Sequence, residues 1–119
     1  MHPLNYETFI PQLVKQVPEL ERAFAEHLET HGEINQHVFF GDLVRFVKDS
    51  IQGLPTGNVA RLEAIAEMMN QALLSSDELL RNLASVSFAE SISSAEHRKA
   101  IRALGKEALN QEISIYWDD

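Results

Sequence analysis

Cysteine is absent from this 119-residue chain. Its absence excludes disulfide bonds, thiol nucleophiles, iron–sulfur clusters and zinc sites built on cysteine, and it fits a reducing compartment. No hydrophobic run approaches the roughly 20 residues that a membrane-spanning helix needs. The first residues also lack the cationic segment and apolar run of a signal peptide. The sequence therefore predicts a cytoplasmic protein without a membrane segment.

Motifs that carry catalysis or bind cofactors are also missing. There is no glycine-rich phosphate loop, no Gly-x-Ser-x-Gly and no pair of Glu-x-x-His motifs. His27 and His31 are spaced to share a helix face, but the pattern lacks a third ligand at a defined position. Glu63 and Glu67 are most simply a solvated helix face, since nothing in the pattern desolvates either carboxyl group. We therefore predict no metal, no cofactor and no catalytic residue, and we predict that the chain is not an enzyme.

Basic residues are in deficit, with 10 Lys and Arg against 18 Asp and Glu and a net charge of −8. The whole excess lies in residues 19–33 and 107–119, each with a net charge of −4. Negative surfaces of this kind repel nucleic acid and anionic membranes and attract basic protein surfaces. The alternative interpretation is that they are solvated faces that maintain solubility. The charge pattern therefore predicts neither nucleic acid nor membrane as a partner, and it leaves open whether the two segments bind a basic protein surface or only maintain solubility.

Hydrophobic residues, at 45% of the chain, recur with helical spacing, and no segment alternates as a strand would. The strongest pattern lies near residues 38–52, where three of the six phenylalanines fall on one broad apolar arc. An arc that wide needs more than one neighbour, so we predict that this helix is central. We predict one all-α domain over residues 1–119, with about six antiparallel helices in a bundle or a short α-α superhelix. The predicted helices cover approximately residues 6–17, 18–30, 38–52, 59–74, 75–91 and 93–112.

Two of these helices carry specific expectations about burial. The inner face of the second helix is predicted to be Leu20, Phe24 and Leu28. His27 and His31 are predicted at the edge of that face. The fifth helix is apolar on two sides, so we expect it to be largely buried. Its apolar residues are Leu79, Leu83 and Val86 on one side and Leu80, Ala84 and Phe88 on the other.

The ends of the fifth helix are predicted from two features. Ser75 and Glu78 have the spacing of a capping box, which would open the helix. Glu90 falls on an apolar side if the helix runs to about Ser91. A buried carboxylate must be paired, hydrogen-bonded or protonated, which makes Glu90 a structural buried-acid candidate. Fraying of the last turn, with exposure of Glu90, is the alternative.

A basic row lies on the last predicted helix, formed by Arg98, Arg102 and Lys106. Read alone, such a row would suggest nucleic-acid binding. It has no interleaved aromatic residues and belongs to an acidic protein. We therefore favour pairing within the molecule, with Glu107, Glu112 or the acidic tail.

With these segments in place, the chain resembles small acidic all-α bacterial proteins that occur as uncharacterised families and, in several cases, as immunity proteins beside polymorphic or contact-dependent toxins. The resemblance is carried by residues 38–47 (VFFGDLVRFV), 76–92 (SDELLRNLASVSFAESI) and 17–20 (VPEL). It implies a tight, electrostatically steered complex with a basic toxin domain, which would block the toxin's active site or an adjoining surface. It implies no catalytic residue.

The predicted partner-binding residues combine acidic side chains with two aromatic residues near the C-terminus. They are Glu19, Glu21, Glu26, Glu29, Glu33, Tyr116, Trp117, Asp118 and Asp119. In this hypothesis, either the second helix or the acidic tail meets the partner. The alternative for Trp117 is that it folds back to seal the core. The competing function is a helical adaptor or regulatory domain that binds a partner peptide or helix in a groove. The sequence leaves the oligomeric state open.

Overall fold

Seven α-helices and two short 3-10 turns form all the regular structure of the described residues, and no strand occurs among them. The structure is a computed structural model that describes residues 4–53 and 59–117. The helices are α1 (Phe9–Gln16), α2 (Glu21–His31), α3 (Gln36–Gln52), α4 (Val59–Leu73), α5 (Glu78–Val86), α6 (Ala95–Arg102) and α7 (Glu107–Tyr116). The 3-10 turns cover Pro18–Leu20 and Ala89–Ser91. The predicted all-α class is confirmed.

The helices α3 and α4 together form the centre of the core. α3 buries one broad face, as its apolar arc predicts, and Phe39, Phe40 and Leu43 on that face are fully buried. It packs against α2, α4 and α6. α4 packs against α1, α3, α5 and α7, so the prediction of one central helix is refined to a central pair. The radius of gyration, 13.4 Å, is that of a compact domain of this length.

The predicted last helix, residues 93–112, is two helices in the structure, so the prediction of a single helix is wrong. The chain turns at Gly105, whose φ of +73° is left-handed and does not continue a right-handed helix. α7 then begins beside α4, where Asn70 Oδ1 accepts a hydrogen bond from Leu109 N at 3.0 Å. A side chain from another helix therefore provides the cap that the local sequence of α7 does not.

Asp77, and not Ser75, caps the N-terminus of α5. Its Oδ1 accepts hydrogen bonds from the backbone N–H groups of Leu79 and Leu80. Its Oδ2 accepts a hydrogen bond from Tyr6 N at 2.8 Å, and this bond is the largest cause that lowers the pKa of Asp77. Ser75 Oγ accepts a hydrogen bond from Asp77 N and so orients the capping residue. Asp77 thereby joins the first described residues to α5.

The fifth helix ends at Val86, well before its predicted end. The chain continues as the 3-10 turn Ala89–Ser91, whose twist differs from that of an α-helix. The change of twist turns Glu90 to the solvent and buries Ala89 instead. Glu90 is exposed, so its prediction as a structural buried acid is wrong.

Candidate protein-binding surface

The helix α2 carries the acidic segment and is fixed on the core by its inner side. Pro18 starts the 3-10 turn that leads into the helix, and Leu20 at the end of that turn is buried. Phe24 packs edge-on against Phe39 of α3, with ring centroids 5.7 Å apart. Gly32, with a φ of +75°, ends the helix. The outer side of α2 is therefore held in a defined orientation.

The five glutamates of this segment are all exposed; they are Glu19, Glu21, Glu26, Glu29 and Glu33. Arg22 is the one base between residues 19 and 33. It pairs with Glu26 at 3.3 Å, and because both side chains are largely in water the pair contributes little stability. Across residues 4–53 and 59–117, the other four glutamates form no ion pair. We call these five glutamates, three on α2 and one on each side of it along the chain, the acidic face of α2.

His27 lies beneath the acidic face, not at the edge of the inner side as predicted. Its side chain is 4% exposed, whereas Leu28, predicted to be internal, is 36% exposed. His27 Nε2 accepts a hydrogen bond from Asn35 N at 2.9 Å, and its ring packs edge-on against Phe39 at 5.5 Å between centroids. The physical reason for the difference is that the connection between α2 and α3 has a backbone N–H that needs an acceptor, which the imidazole provides.

The surroundings of His27 favour its neutral form. Burial is the main cause that lowers the pKa of His27, and the neighbouring His31, with its ring centroid 4.6 Å away, acts in the same direction. Asp42 acts in the opposite direction. A cavity of about 290 Å³ lies beside these groups and is also lined by Glu26 and Thr30. In the part of the chain that the structure describes, no three His, Asp or Glu side chains group closely enough to hold a metal ion.

We expect the free energy of unfolding to fall as the pH drops below about 6.5, the ordinary pKa of histidine. Because the pKa of folded His27 is lowered, the unfolded chain binds a proton that the folded chain resists. This contribution is fully present above about pH 6.5 and is lost as the pH falls through the pKa of folded His27. Urea unfolding from about pH 7.5 to about 5.5 measures the dependence.

A pair of variants assigns this pH dependence to one imidazole. His27→Gln can still accept the hydrogen bond from Asn35 N, but it does not titrate, so most of the dependence should disappear. His31→Gln is the matched control at an exposed position one turn later. Because burial is the main cause that lowers the pKa of His27, this variant should retain most of the dependence. A His27→Gln variant with an unchanged pH profile would contradict the assignment.

The two C-terminal aromatic side chains make contacts within the molecule. Trp117 Nε1 donates a hydrogen bond to Ala89 O at 3.2 Å, and the Arg98 guanidinium lies 4.9 Å from the indole ring centroid. Tyr116 Oη shares a hydrogen bond of 2.7 Å with Ser85 Oγ. Both side chains are half-buried, in agreement with the alternative that Trp117 folds back on the core. The remaining predicted contact residues lie outside the described residues; they are Asp118 and Asp119.

The basic row of the predicted last helix pairs within the molecule at Lys106, but its partners differ from the expected ones. Lys106 Nζ lies 3.8 Å from Glu63 Oε1 and 3.7 Å from Glu67 Oε2. Both carboxylates belong to α4, whereas the prediction named Glu107, Glu112 or the acidic tail. The break between α6 and α7 explains the difference, because it turns Lys106 towards the polar side of α4.

A groove of about 570 Å³ lies between α5, the end of α4 and α7, and the residue patterns did not predict it. Its lining residues are Leu73, Glu78, Leu79, Arg81, Asn82, Ser85 and Glu112. Ser85 Oγ donates a hydrogen bond to Glu112 Oε2 at 2.5 Å, so these two side chains connect α5 to α7. The groove therefore combines apolar and neutral polar walls with two carboxylates and one base.

The expectation that α5 is largely buried is wrong. Leu80, Leu83 and Ala84 face the core, whereas Leu79 is 62% exposed and Val86 is 41% exposed. A helix of nine residues packed mainly against α4 and the following 3-10 turn buries one side only. The seven-residue spacing of the two exposed side chains, which puts them on one helix face, is the sequence signal that could have located the groove.

A family model matches residues 10–119, which include the acidic face, His27 and every residue that lines the groove. The chain belongs to the family described as Domain of unknown function (DUF7674). No protein with a curated description matches the chain, and no solved structure matches it. Within the described part of this family member, none of the helices combines the length and apolar character needed to cross a bilayer.

Proposed function

We propose that this domain binds a basic protein partner through the acidic face of α2, and that it acts as an immunity protein that neutralises a cognate bacterial toxin. The observation that carries the proposal is the exposure of all five glutamates around one base, which is itself paired. Charge of one sign concentrated on one helix and the residues that flank it attracts an oppositely charged partner before contact and raises the association rate. The proposal includes a cytoplasmic location, which the absence of cysteine supports.

The fixed orientation of α2 supports the same proposal. Phe24 and His27 hold the inner side of the helix against Phe39, so the charges need no rearrangement to meet a partner. Binding by a preorganised surface loses less conformational entropy than binding by a mobile one. Leu28 follows Glu21 by seven residues, about two helical turns, and therefore lies on the same side of α2. Its exposed side chain adds an apolar contact within the charged surface.

Charge reversal on the acidic face tests the proposal through the association rate. A variant that combines Glu21→Lys and Glu29→Lys should associate with the cognate toxin about 10- to 100-fold more slowly at low salt than the parent protein. Its association rate should also vary less with ionic strength, because less long-range attraction remains to be screened. Stopped-flow kinetics at two salt concentrations measures both quantities.

The control variant combines Glu7→Lys and Glu96→Lys, which changes the net charge equally at exposed positions outside the acidic face. It should slow association much less than the reversal on α2. Equal slowing in the two variants, or none in the α2 variant, would contradict the acidic face as the contact. If co-expression with the adjacent reading frame gives no complex and no protection from toxicity, the immunity function itself is contradicted.

A further inference from the structure

We infer that the groove between α5 and α7 binds an amphipathic helix of a partner protein, with aliphatic side chains against Leu79 and a lysine or arginine between Glu78 and Glu112. The groove is formed by different helices from the acidic face of α2. This inference therefore goes beyond the proposed function and does not depend on it.

Exposed apolar surface is concentrated around this groove. Among the described residues, four of the exposed large hydrophobic side chains belong to α5 or α7 or directly follow α4; they are Leu74, Leu79, Val86 and Ile115, between 41% and 71% exposed. Leu79 lines the groove itself, and the other three follow a lining residue by one to three positions along the chain. Scattered exposed leucines need no explanation, but a group of them around one groove is typical of an interaction site.

The spacing along α5 suits a helix as the occupant. Leu79, Asn82 and Val86 lie on the exposed face of α5 and span seven residues, or about 10 Å along the helix axis. Partner helices that bind in grooves place their anchoring side chains at positions i, i+3 or i+4, and i+7. Two turns of such a helix therefore match the length of the apolar face, and the amide of Asn82 is available to a polar position at its edge.

The charges of the groove determine the chemistry of its partner. Glu78 on α5 and Glu112 on α7 line it from two different helices. Arg81, the one base among the lining residues, donates a hydrogen bond from Nη1 to Ser75 O at 2.7 Å and acts electrostatically on Asp77. The guanidinium is thus directed to the start of α5, and two carboxylates against one base leave the lining net acidic. A cation on the bound helix is stabilised there and a carboxylate is repelled.

A second copy of this chain fits the groove less well than a basic helix. Two copies joined through this face would bring Glu78 and Glu112 of each chain close together, and each chain carries a net charge of −8. Like charges placed across an interface oppose association. Charge complementarity therefore favours a partner of different sequence over self-association.

A designed peptide provides a direct probe of the groove. The probe is a fluorescein-labelled amphipathic peptide of about 15 residues, long enough to populate a helix, with leucines at i, i+3 and i+7 and lysines on both flanks. A matched peptide carries glutamates in place of the lysines. Fluorescence anisotropy should show saturable binding of the lysine peptide to the full chain and binding at least about tenfold weaker for the glutamate peptide.

Two groove variants and one control assign the binding site. Leu79→Asn should weaken binding of the lysine peptide at least about tenfold. Because the Leu79 side chain is exposed, the variant should keep the circular dichroism spectrum of the parent protein. Glu112→Gln retains an acceptor for Ser85. It should weaken binding of the lysine peptide but not binding of a neutral peptide with the same leucines. Leu28→Asn makes the same substitution on α2 and should leave the affinity unchanged.

Several results would overturn the inference. They are equal binding of the lysine and glutamate peptides, undiminished binding by Leu79→Asn, and loss of binding by Leu28→Asn. Peptide-induced chemical shift changes confined to α5 and α7 would support it, whereas changes confined to α2 would overturn it. Sedimentation that shows a dimer of the chain, dissociated by Leu79→Asn, would also overturn it, because a second copy would then occupy the groove.

Discussion

Replacing Phe39 with alanine should lower the free energy of unfolding by about 3–5 kcal/mol. The ring is fully buried, and it packs edge-on against Phe24 at 5.7 Å and against His27 at 5.5 Å between centroids. The substitution leaves a cavity in the core and removes two aromatic contacts that hold α2 in place. Since the free energy of unfolding of a small domain is about 5–15 kcal/mol, the loss is a large part of the total stability.

Urea or guanidinium unfolding, followed by circular dichroism and by the fluorescence of Trp117, measures this loss. The exposed neighbour Val38 provides the control, because Val38→Ala should change the free energy of unfolding by at most about 0.5 kcal/mol. The Phe39→Ala variant should also exchange the amide hydrogens of α2 faster than those of α4. A loss below about 1 kcal/mol, or uniform exchange in the two helices, would contradict the role of Phe39 as the anchor of α2.

Replacing Trp117 with alanine should lower the free energy of unfolding by about 2 kcal/mol, less than a fully buried ring would. The indole is half-buried, donates a hydrogen bond to Ala89 O at 3.2 Å and lies under the Arg98 guanidinium at 4.9 Å. Arg98 in turn donates to Ser93 O at 2.6 Å. Alanine removes the packing, the hydrogen bond and the cation–π contact together, so the C-terminal end of α7 should loosen from the turn at Ala89–Ser91.

The variant Trp117→Phe helps to separate these contributions, because it keeps an aromatic ring for Arg98 but removes the donor to Ala89 O and the smaller part of the packed ring area. We expect it to lose about 1 kcal/mol, the usual net value of one hydrogen bond. Unfolding curves from circular dichroism measure both variants without depending on tryptophan fluorescence. If Trp117→Ala left stability unchanged and abolished partner binding, the indole would be a contact residue for the partner, as the sequence hypothesis had it, and not part of the core.

The parts of the fold that depend on hydrophobic spacing could be predicted from the sequence. Phe39, Phe40 and Leu43 recur at helical intervals on one helix, and their burial follows from that spacing alone. Exposure of the acidic face follows equally directly, since adjacent glutamates with one base between them are rarely buried. These features are local, so the identity of the packing partner does not change them.

The features that depend on distant partners could not be predicted. The burial of His27 follows from its hydrogen bond with the backbone N–H of Asn35, eight residues later. Helical spacing alone does not show this contact, and it predicted Leu28 inside instead. The break at Gly105 becomes favourable because Asn70 meets the start of α7. The groove exists because the second apolar side of α5 has too little neighbouring surface to cover it. In each case tertiary contacts decide between arrangements that the local sequence permits.

The hydrogen bond from Leu109 N to Asn70 Oδ1 has a consequence for the stability of α7. α7 lacks a side-chain cap of its own, so an isolated peptide of its sequence starts with unsatisfied donors and frays in water. Its first turn becomes stable only when α4 lies beside it. The stability of α7 therefore depends on α4, and a peptide of the α7 sequence alone should be less helical than the same segment in the full chain.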